Sequence, residues 1–187
     1  MGIGSKRTVR HTSANQGVQI ATVNAEHPND LPNAYLSASL RTILAENGLG
    51  AYVGPANGFV VSFTNGLSVY LSGDTGLADE MRSVVRGLYG AKLVVINIGD
   101  NFTTGPEEAA YAVTDLIGAV AVIPSHANEA ATQNGSAIAG TRTARFIEIL
   151  EQGPMRASRR RSVPVYVPLS GMTMEFHSTG NCVVGCF

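Results

Sequence analysis

The sequence predicts an α/β domain, because of the order of its elements and its composition. A β-rich first part gives way to alternating helical and apolar extended segments, an order typical of sheets covered by helices. Of the 187 residues, 44% are hydrophobic and only 14% are charged, which favours much buried surface. We expect one domain with a sizeable core over residues 18–187, preceded by a polar arm over residues 1–17.

The first half of the chain is predicted to be mostly extended. A strand over Val18–Val23 ends at Glu26-His27-Pro28. The segment 28–50 contains a short helix and is long enough to act as a lid or binding loop. Apolar runs on both sides of Asn65-Gly66 predict a β-hairpin. The second strand of that hairpin leads directly into Gly73-Asp74-Thr75-Gly76.

The second half is predicted to alternate helices with buried strands. We expect helices over residues 79–89, 104–117 and 139–151, and strands over residues 93–98, 119–123 and 163–167. The first of these helices would bury Met81, Val84, Val85 and Leu88 on one face. Thr104 would cap the second helix, whose first turn is acidic.

Composition and charge exclude several classes of protein. The net charge of −1 gives no electrostatic reason to expect binding to nucleic acid or to an anionic membrane. No apolar run is long enough to span a bilayer, and the polar N-terminus does not have the apolar stretch of a secretory signal. The two cysteines, Cys182 and Cys186, are too few for a disulfide framework, so we expect ordinary thiols in a cytoplasmic protein.

Three side chains of metal-ligand type follow directly after apolar strands: His27, Asp74 and His126. Strand ends are common places for active-site groups, because the sheet holds them rigidly while the loops leave them open to substrate. Imidazole and carboxylate are the usual ligands of a hydrolytic Zn²⁺ centre. Each residue also has a plain structural explanation: a surface histidine for His27, a turn residue for Asp74, and a cap of the following segment for His126.

Four ordered segments resemble the metallo-β-lactamase superfamily. They are GPANGF (54–59), VYLSGDTG (69–76), IGDNFTTGPEEAA (98–110) and VIPSH (122–126). The closest likeness is to the branch of small metal-dependent hydrolases that includes the ascorbate phosphate lactonase. The resemblance covers about residues 18–150, and the ordered series is far more specific than Gly-Asp-Thr alone. It implies the C-terminal portion of an αβ/βα sandwich.

The resemblance also implies a metal site. His27 matches the third metal-binding histidine of the family, Asp74 the aspartate that bridges two metals, and His126 the last metal-binding histidine. The implied cofactor is Zn²⁺ or Mn²⁺, and the implied substrate is a small molecule with a lactone, ester, amide or phosphoester bond. The first metal motif of the family, His-x-His-x-Asp-His, is absent from this chain. We therefore expect a partial hydrolase domain, weak or inactive alone, with its catalytic residues unassigned.

Two other functions stay open at this stage. The chain could be a non-catalytic truncated relic, or a module in which the segment 28–50 and the basic run Arg156–Arg161 bind an anionic partner. Half a sandwich would also expose a large apolar sheet face, so self-association into a homo-oligomer is expected.

Overall fold

The chain folds around one mixed six-stranded sheet. The computed structural model describes residues 2–152 and 162–186, and the basic run Arg156–Arg161 lies outside this part. In both chain order and spatial order the strands are β1 (Lys6–Val9), β2 (Val18–Asn24), β3 (Asn57–Ser62), β4 (Ser68–Leu71), β5 (Leu93–Asn97) and β6 (Ala121–Ser125). Strands β1 to β4 are antiparallel, whereas β4, β5 and β6 are parallel. The predicted α/β class is confirmed.

Helices and two small hairpins complete the fold. The helices are a 3₁₀ turn (Asn33–Tyr35), α1 (Ala38–Glu46), a π-helical segment (Met81–Arg86), α2 (Pro106–Tyr111), which continues as a second π-helical segment (Ala112–Ile117), and α3 (Arg142–Gln152). The small hairpins pair β7 (Thr132–Gln133) with β8 (Ser136–Ala137), and β9 (Glu175–Phe176) with β10 (Cys182–Val184). The predicted hairpin of β3 and β4 is present, with Gly66 at a φ of +87° in its turn.

The two faces of the sheet are covered differently. One face packs against the helices in a large core that includes Tyr70 and Val94 from the strands and Phe146 from α3, each fully buried. The opposite face has a small buried cluster around Val69 and Leu93, against which the C-terminal segment packs. The helical face of the sheet is therefore buried, and the opposite face is only partly covered.

Two local predictions are wrong for identifiable reasons. Leu88 is 64% exposed, because the helix before it is π-helical and ends at Arg86, so the 3.6-residue period no longer places Leu88 on the buried face. The strand expected over 163–167 is reduced to one parallel bridge between Val165 and Val122. Pro164 has no N–H to donate to a longer ladder.

The two ends of the chain also differ from expectation. Lys6–Val9, within the expected polar arm, pairs with β2 as an edge strand, and all four of its residues are exposed. Cys182 and Cys186 form a disulfide, so the expectation of ordinary thiols is wrong. Their Cα atoms lie 6.1 Å apart, within the range that a disulfide can bridge.

Candidate metal centre at the strand ends

Asp74 and His126 meet at one edge of the sheet. Asp74 follows β4 and His126 follows β6, on either side of β5, and the three parallel strands end at the same edge. The Asp74 Oδ2 atom lies 3.7 Å from the His126 Nε2 atom. Their side chains are 47% and 43% exposed, respectively. The structure therefore brings two of the three predicted ligands together in an accessible position.

Two glycines shape the backbone beside this pair. Gly73 has a φ of +61°, and a Cβ atom there would lie 2.9 Å from the Asn57 carbonyl oxygen. A Cβ atom on Gly99, after β5, would lie 2.6 Å from the His126 carbonyl oxygen and 2.8 Å from its Cδ2 atom. The edge of the sheet therefore requires glycine at both positions, because a side chain would displace the backbone that carries a ligand.

The loop that carries His126 is tied to the start of α3. His126 has a φ of +49°, which is uncommon for a residue other than glycine. The Arg142 Nη1 atom donates to the Ala127 carbonyl oxygen at 3.3 Å and lies 3.9 Å from the Glu129 carboxylate. The Thr143 backbone N–H donates to that carboxylate at 3.3 Å. These contacts hold the loop in its strained conformation.

His27 does not join Asp74 and His126 in a three-residue cluster within the described part of the chain. Its Nδ1 atom contacts the Pro28 carbonyl oxygen at 2.7 Å, and because a carbonyl only accepts, Nδ1 is the donor. The lone pair of Nε2 is then free, which is the usual arrangement of a metal-binding histidine. Among residues 2–152 and 162–186, no group of three His, Cys, Asp or Glu side chains is close enough to hold one ion.

Hydrogen bonds join the segment before His27 to the turn that carries Asp74. The Glu26 N–H donates to the Thr75 Oγ1 atom at 2.9 Å, and the Gly76 N–H donates to the Glu26 carbonyl oxygen at 2.7 Å. His27 and Asp74 each lie one residue from this junction. All three predicted ligands are therefore carried by segments attached to the same edge of the sheet.

A buried asparagine that the sequence analysis missed lies beneath these segments. Asn97, the last residue of β5, is 0% exposed. Its Oδ1 atom accepts from the Thr75 N–H at 3.2 Å, and its Nδ2 atom donates to the Thr75 carbonyl oxygen at 2.9 Å. Ser72 also contacts Oδ1, at 3.2 Å. An amide inside an otherwise apolar strand was the available signal, because buried polar groups need partners.

The role predicted for Thr104 is wrong. Gly105, not Thr104, precedes the first turn of α2, and the Gly105 N–H donates to the Glu108 carboxylate at 3.2 Å. The Thr104 hydroxyl points into the core, where it donates to the Asn97 carbonyl oxygen at 2.7 Å and accepts from Asn97 Nδ2 at 2.8 Å. The Thr104 hydroxyl therefore bonds to the buried residue Asn97 instead of capping α2.

The Asp74–His126 pair fits a bound divalent ion. Oxygen and nitrogen ligands lie about 2.0–2.2 Å from Zn²⁺, so two ligands of one tetrahedral ion are about 3.4 Å apart. The observed separation of 3.7 Å is close to that value. Carboxylate and imidazole suit Zn²⁺, and carboxylate with water also suits Mn²⁺. Two ligands can thus hold an ion without large movement.

Comparison with known proteins gives partial matches to metal-dependent hydrolases. The chain is 40% identical over 97 residues to a UPF0173 metal-dependent hydrolase of Chloroflexus aurantiacus, covering 52% of this chain and 39% of that protein. It is 46% identical over 85 residues to one of Methanospirillum hungatei, covering 46% of this chain and 37% of that protein. The matches thus span less than half the length of these relatives. No family model matches the chain.

A solved structure supports the fold. An isothiocyanate hydrolase from Delia radicum gut bacteria matches 92% of this chain and 59% of its own, with a TM-score of 0.53 and 20% identity. These similarities confirm the predicted likeness to metal-dependent hydrolases over part of the chain, and the solved structure supports the fold. Within the part of the chain that the structure describes, no helix is both long and apolar enough to cross a membrane.

Proposed function

We propose, from the homology of this chain to part of the UPF0173 metal-dependent hydrolases, that it carries one portion of a metallo-β-lactamase-type metal centre. The ligands in this proposal are Asp74 and His126, with His27 as a further ligand. The observation that carries it is the 3.7 Å contact between Asp74 Oδ2 and His126 Nε2 at the ends of parallel strands. Zn²⁺ is the favoured ion and Mn²⁺ the alternative.

The chain's own residues would bind and orient the reactants. Asp74 would supply a carboxylate, and His126 would supply an imidazole nitrogen on a loop held by Arg142. Their exposure leaves room for a small substrate with a lactone, ester, amide or phosphoester bond. When bound, the ion supplies a Lewis acid and a water whose pKa falls to about 7.

The proposed site is incomplete in this chain. Catalytic zinc centres usually have three protein ligands, whereas among residues 2–152 and 162–186 only two candidate ligand atoms are in contact. The motif His-x-His-x-Asp-His, whose aspartate would assist proton transfer in the family, is absent. The loss of general acid–base assistance lowers rates by roughly 10²–10⁴-fold. We therefore propose slow hydrolysis by this chain alone.

A non-catalytic domain is the second candidate. One observation favours it: the described ranges contain no three-ligand group, so the Asp74–His126 contact could be a simple ion pair. A surface ion pair of this kind stabilises a fold by roughly 0–1 kcal/mol. The two candidates differ in whether Asp74 supports metal-dependent turnover.

Hydrolysis assays with a matched control separate these candidates. The chain, stripped with a chelator and reloaded with Zn²⁺ or Mn²⁺, would be tested on a lactone, a nitrophenyl ester and a nitrophenyl phosphodiester. We expect slow turnover that requires the ion, is abolished by Asp74→Asn and is unchanged by Glu148→Gln on the exposed face of α3. Turnover that survives chelation or Asp74→Asn would contradict the proposal, and no turnover under any condition would favour the non-catalytic domain.

A further inference from the structure

We propose that Asn97 and Thr75 are a positioning pair, which sets the relative placement of the segments that carry Asp74, His27 and His126. The inference rests on the proposed metal centre and adds two residues that touch none of the reacting groups. Both are 0% exposed and lie directly beneath the edge of the sheet. The proposal is that their hydrogen bonds, and not the sheet alone, fix the geometry of the ligands.

The turn after β4 is held by the Asn97 side chain. The Asn97 side-chain amide binds both backbone groups of Thr75, accepting from its N–H at 3.2 Å and donating to its carbonyl oxygen at 2.9 Å. Two bonds to one residue fix its orientation as well as its position. Asp74 precedes Thr75 directly, so the direction of its carboxylate depends on this clamp.

The segment after β2 is held by the Thr75 hydroxyl. The Thr75 hydroxyl accepts from the Glu26 N–H at 2.9 Å and donates to the Gly76 carbonyl oxygen at 2.9 Å. The same residue that Asn97 clamps therefore holds the chain one residue before His27. A displacement of Thr75 would move two ligand-bearing segments together.

The end of β6 pairs with β5, the strand that carries Asn97. Asn97 pairs in register with Ser125, which directly precedes His126, and the next N–H along β5, that of Ile98, donates to the Ser125 carbonyl oxygen at 3.0 Å. Gly99 then lies against His126, within a distance that leaves no room for a Cβ atom. The backbone of β5, which carries Asn97, therefore also supports the loop that carries His126.

Asparagine suits this position because an amide both donates and accepts. Aspartate would keep the acceptor for the Thr75 N–H but would lose the donor to the carbonyl oxygens and hydroxyl around it. Leucine would keep the shape and lose every bond. Each buried group left without a partner lowers the stability of the fold, so a variant of Asn97 changes both stability and geometry.

The test therefore uses a milder pair of variants at Thr75. Thr75→Val keeps the shape and removes the hydroxyl that holds Glu26, whereas Thr75→Ser keeps the hydroxyl. Asn97→Asp tests the clamp itself. Thr22→Val is the control for substitution of a buried threonine, since Thr22 is 1% exposed and its hydroxyl has no hydrogen-bond partner among the described residues.

Two measurements are needed: Zn²⁺ affinity by calorimetry, and the Asp74 Oδ2 to His126 Nε2 distance in crystals of the metal-free chain. We expect Thr75→Val and Asn97→Asp to weaken Zn²⁺ binding about 10–100-fold, the usual effect of losing a group that orients a ligand. Thr75→Ser and Thr22→Val should stay close to the wild-type chain. In the two weakened variants the distance should change by about 1 Å or more, a displacement of the size that impairs active sites.

The outcomes separate this inference from the proposed function. If the wild-type chain binds no Zn²⁺ in an Asp74-dependent manner, the proposed function fails, and the crystal distances still decide whether the pair positions these side chains. If Asn97→Asp does not fold, the Thr75 pair gives the answer. Folded Thr75→Val with wild-type affinity and a wild-type distance would overturn the inference.

Discussion

The two faces of the sheet are packed differently: one lies in a closed core with the helices, and the other is partly open to solvent. On the helical face, Tyr70, Val94 and Phe146 are fully buried among side chains from the strands and helices. On the other face, Phe59 and Phe63 remain 37% and 42% exposed, although Val69 beside them is buried. The stability of the domain therefore comes mainly from packing on the helical face of the sheet.

The candidate metal centre lies where the well-packed part of the sheet ends. The strands that carry Asp74 and His126 border β5, whose Val94 and Ile96 are fully buried. A β-sandwich packs the inner faces of its two sheets against each other. Among the described residues, the packing on the non-helical face comes from the C-terminal segment, including Tyr166 and Phe176. A rigid support for two ligands is therefore present even though the second face is open.

A pair of phenylalanine variants measures the contrast between the faces most strongly. Phe146→Ala removes a fully buried ring from the helical core and should lower the free energy of unfolding by about 3–5 kcal/mol. Phe63→Ala removes a ring that is already 42% exposed and should cost about 1 kcal/mol or less. Urea denaturation of both variants gives the two values. Equal losses would show that the open face is packed in solution.

A smaller effect is expected on the outer surface of α3, away from both faces. The Arg145 guanidinium, 3.0 Å from the Glu148 carboxylate, lowers the pKa of Glu148, and a hydrogen bond from Gln152 adds to this. A carboxyl whose pKa is lowered by folding stabilises the fold above its unfolded pKa, and this contribution disappears as the pH falls through the folded pKa.

Glu148→Gln should accordingly reduce the melting temperature slightly at pH 7 and leave it unchanged in acid below that pKa. The effect is small because Glu148 is exposed and solvent screens the pair. Melting curves of both chains across the acidic range test this sign. A difference that widens as the pH falls would contradict the proposed role of the pair.

The sequence predicted strands β2 to β6, the hairpin and the residues that follow these strands, because these depend on local patterns. Apolar runs on both sides of Asn65-Gly66 are a strong signal for a β-hairpin. Polar residues directly after apolar strands lie at the edge of a sheet. Asp74 and His126 were located in this way. Their contact required the three-dimensional order of β4, β5 and β6, which sequence spacing does not contain.

The errors arose where tertiary contacts override local preference. Thr104 has good helix-capping chemistry, but the buried Asn97 amide competes for its hydroxyl. Leu88 fits an α-helical period, but the chain there has wider π-helical turns. Lys6–Val9 is polar enough to be a free arm, yet the exposed edge of β2 pairs with it.

We propose that Asp74 and His126 hold one divalent ion at the ends of β4 and β6. It is tested most directly by growing crystals of the chain with Zn²⁺ and collecting diffraction data at the zinc absorption edge. We predict an anomalous difference peak about 2.0–2.2 Å from both Asp74 Oδ2 and His126 Nε2, which Asp74→Ala removes. No peak at the pair, despite ordered side chains and zinc bound elsewhere, would contradict the account.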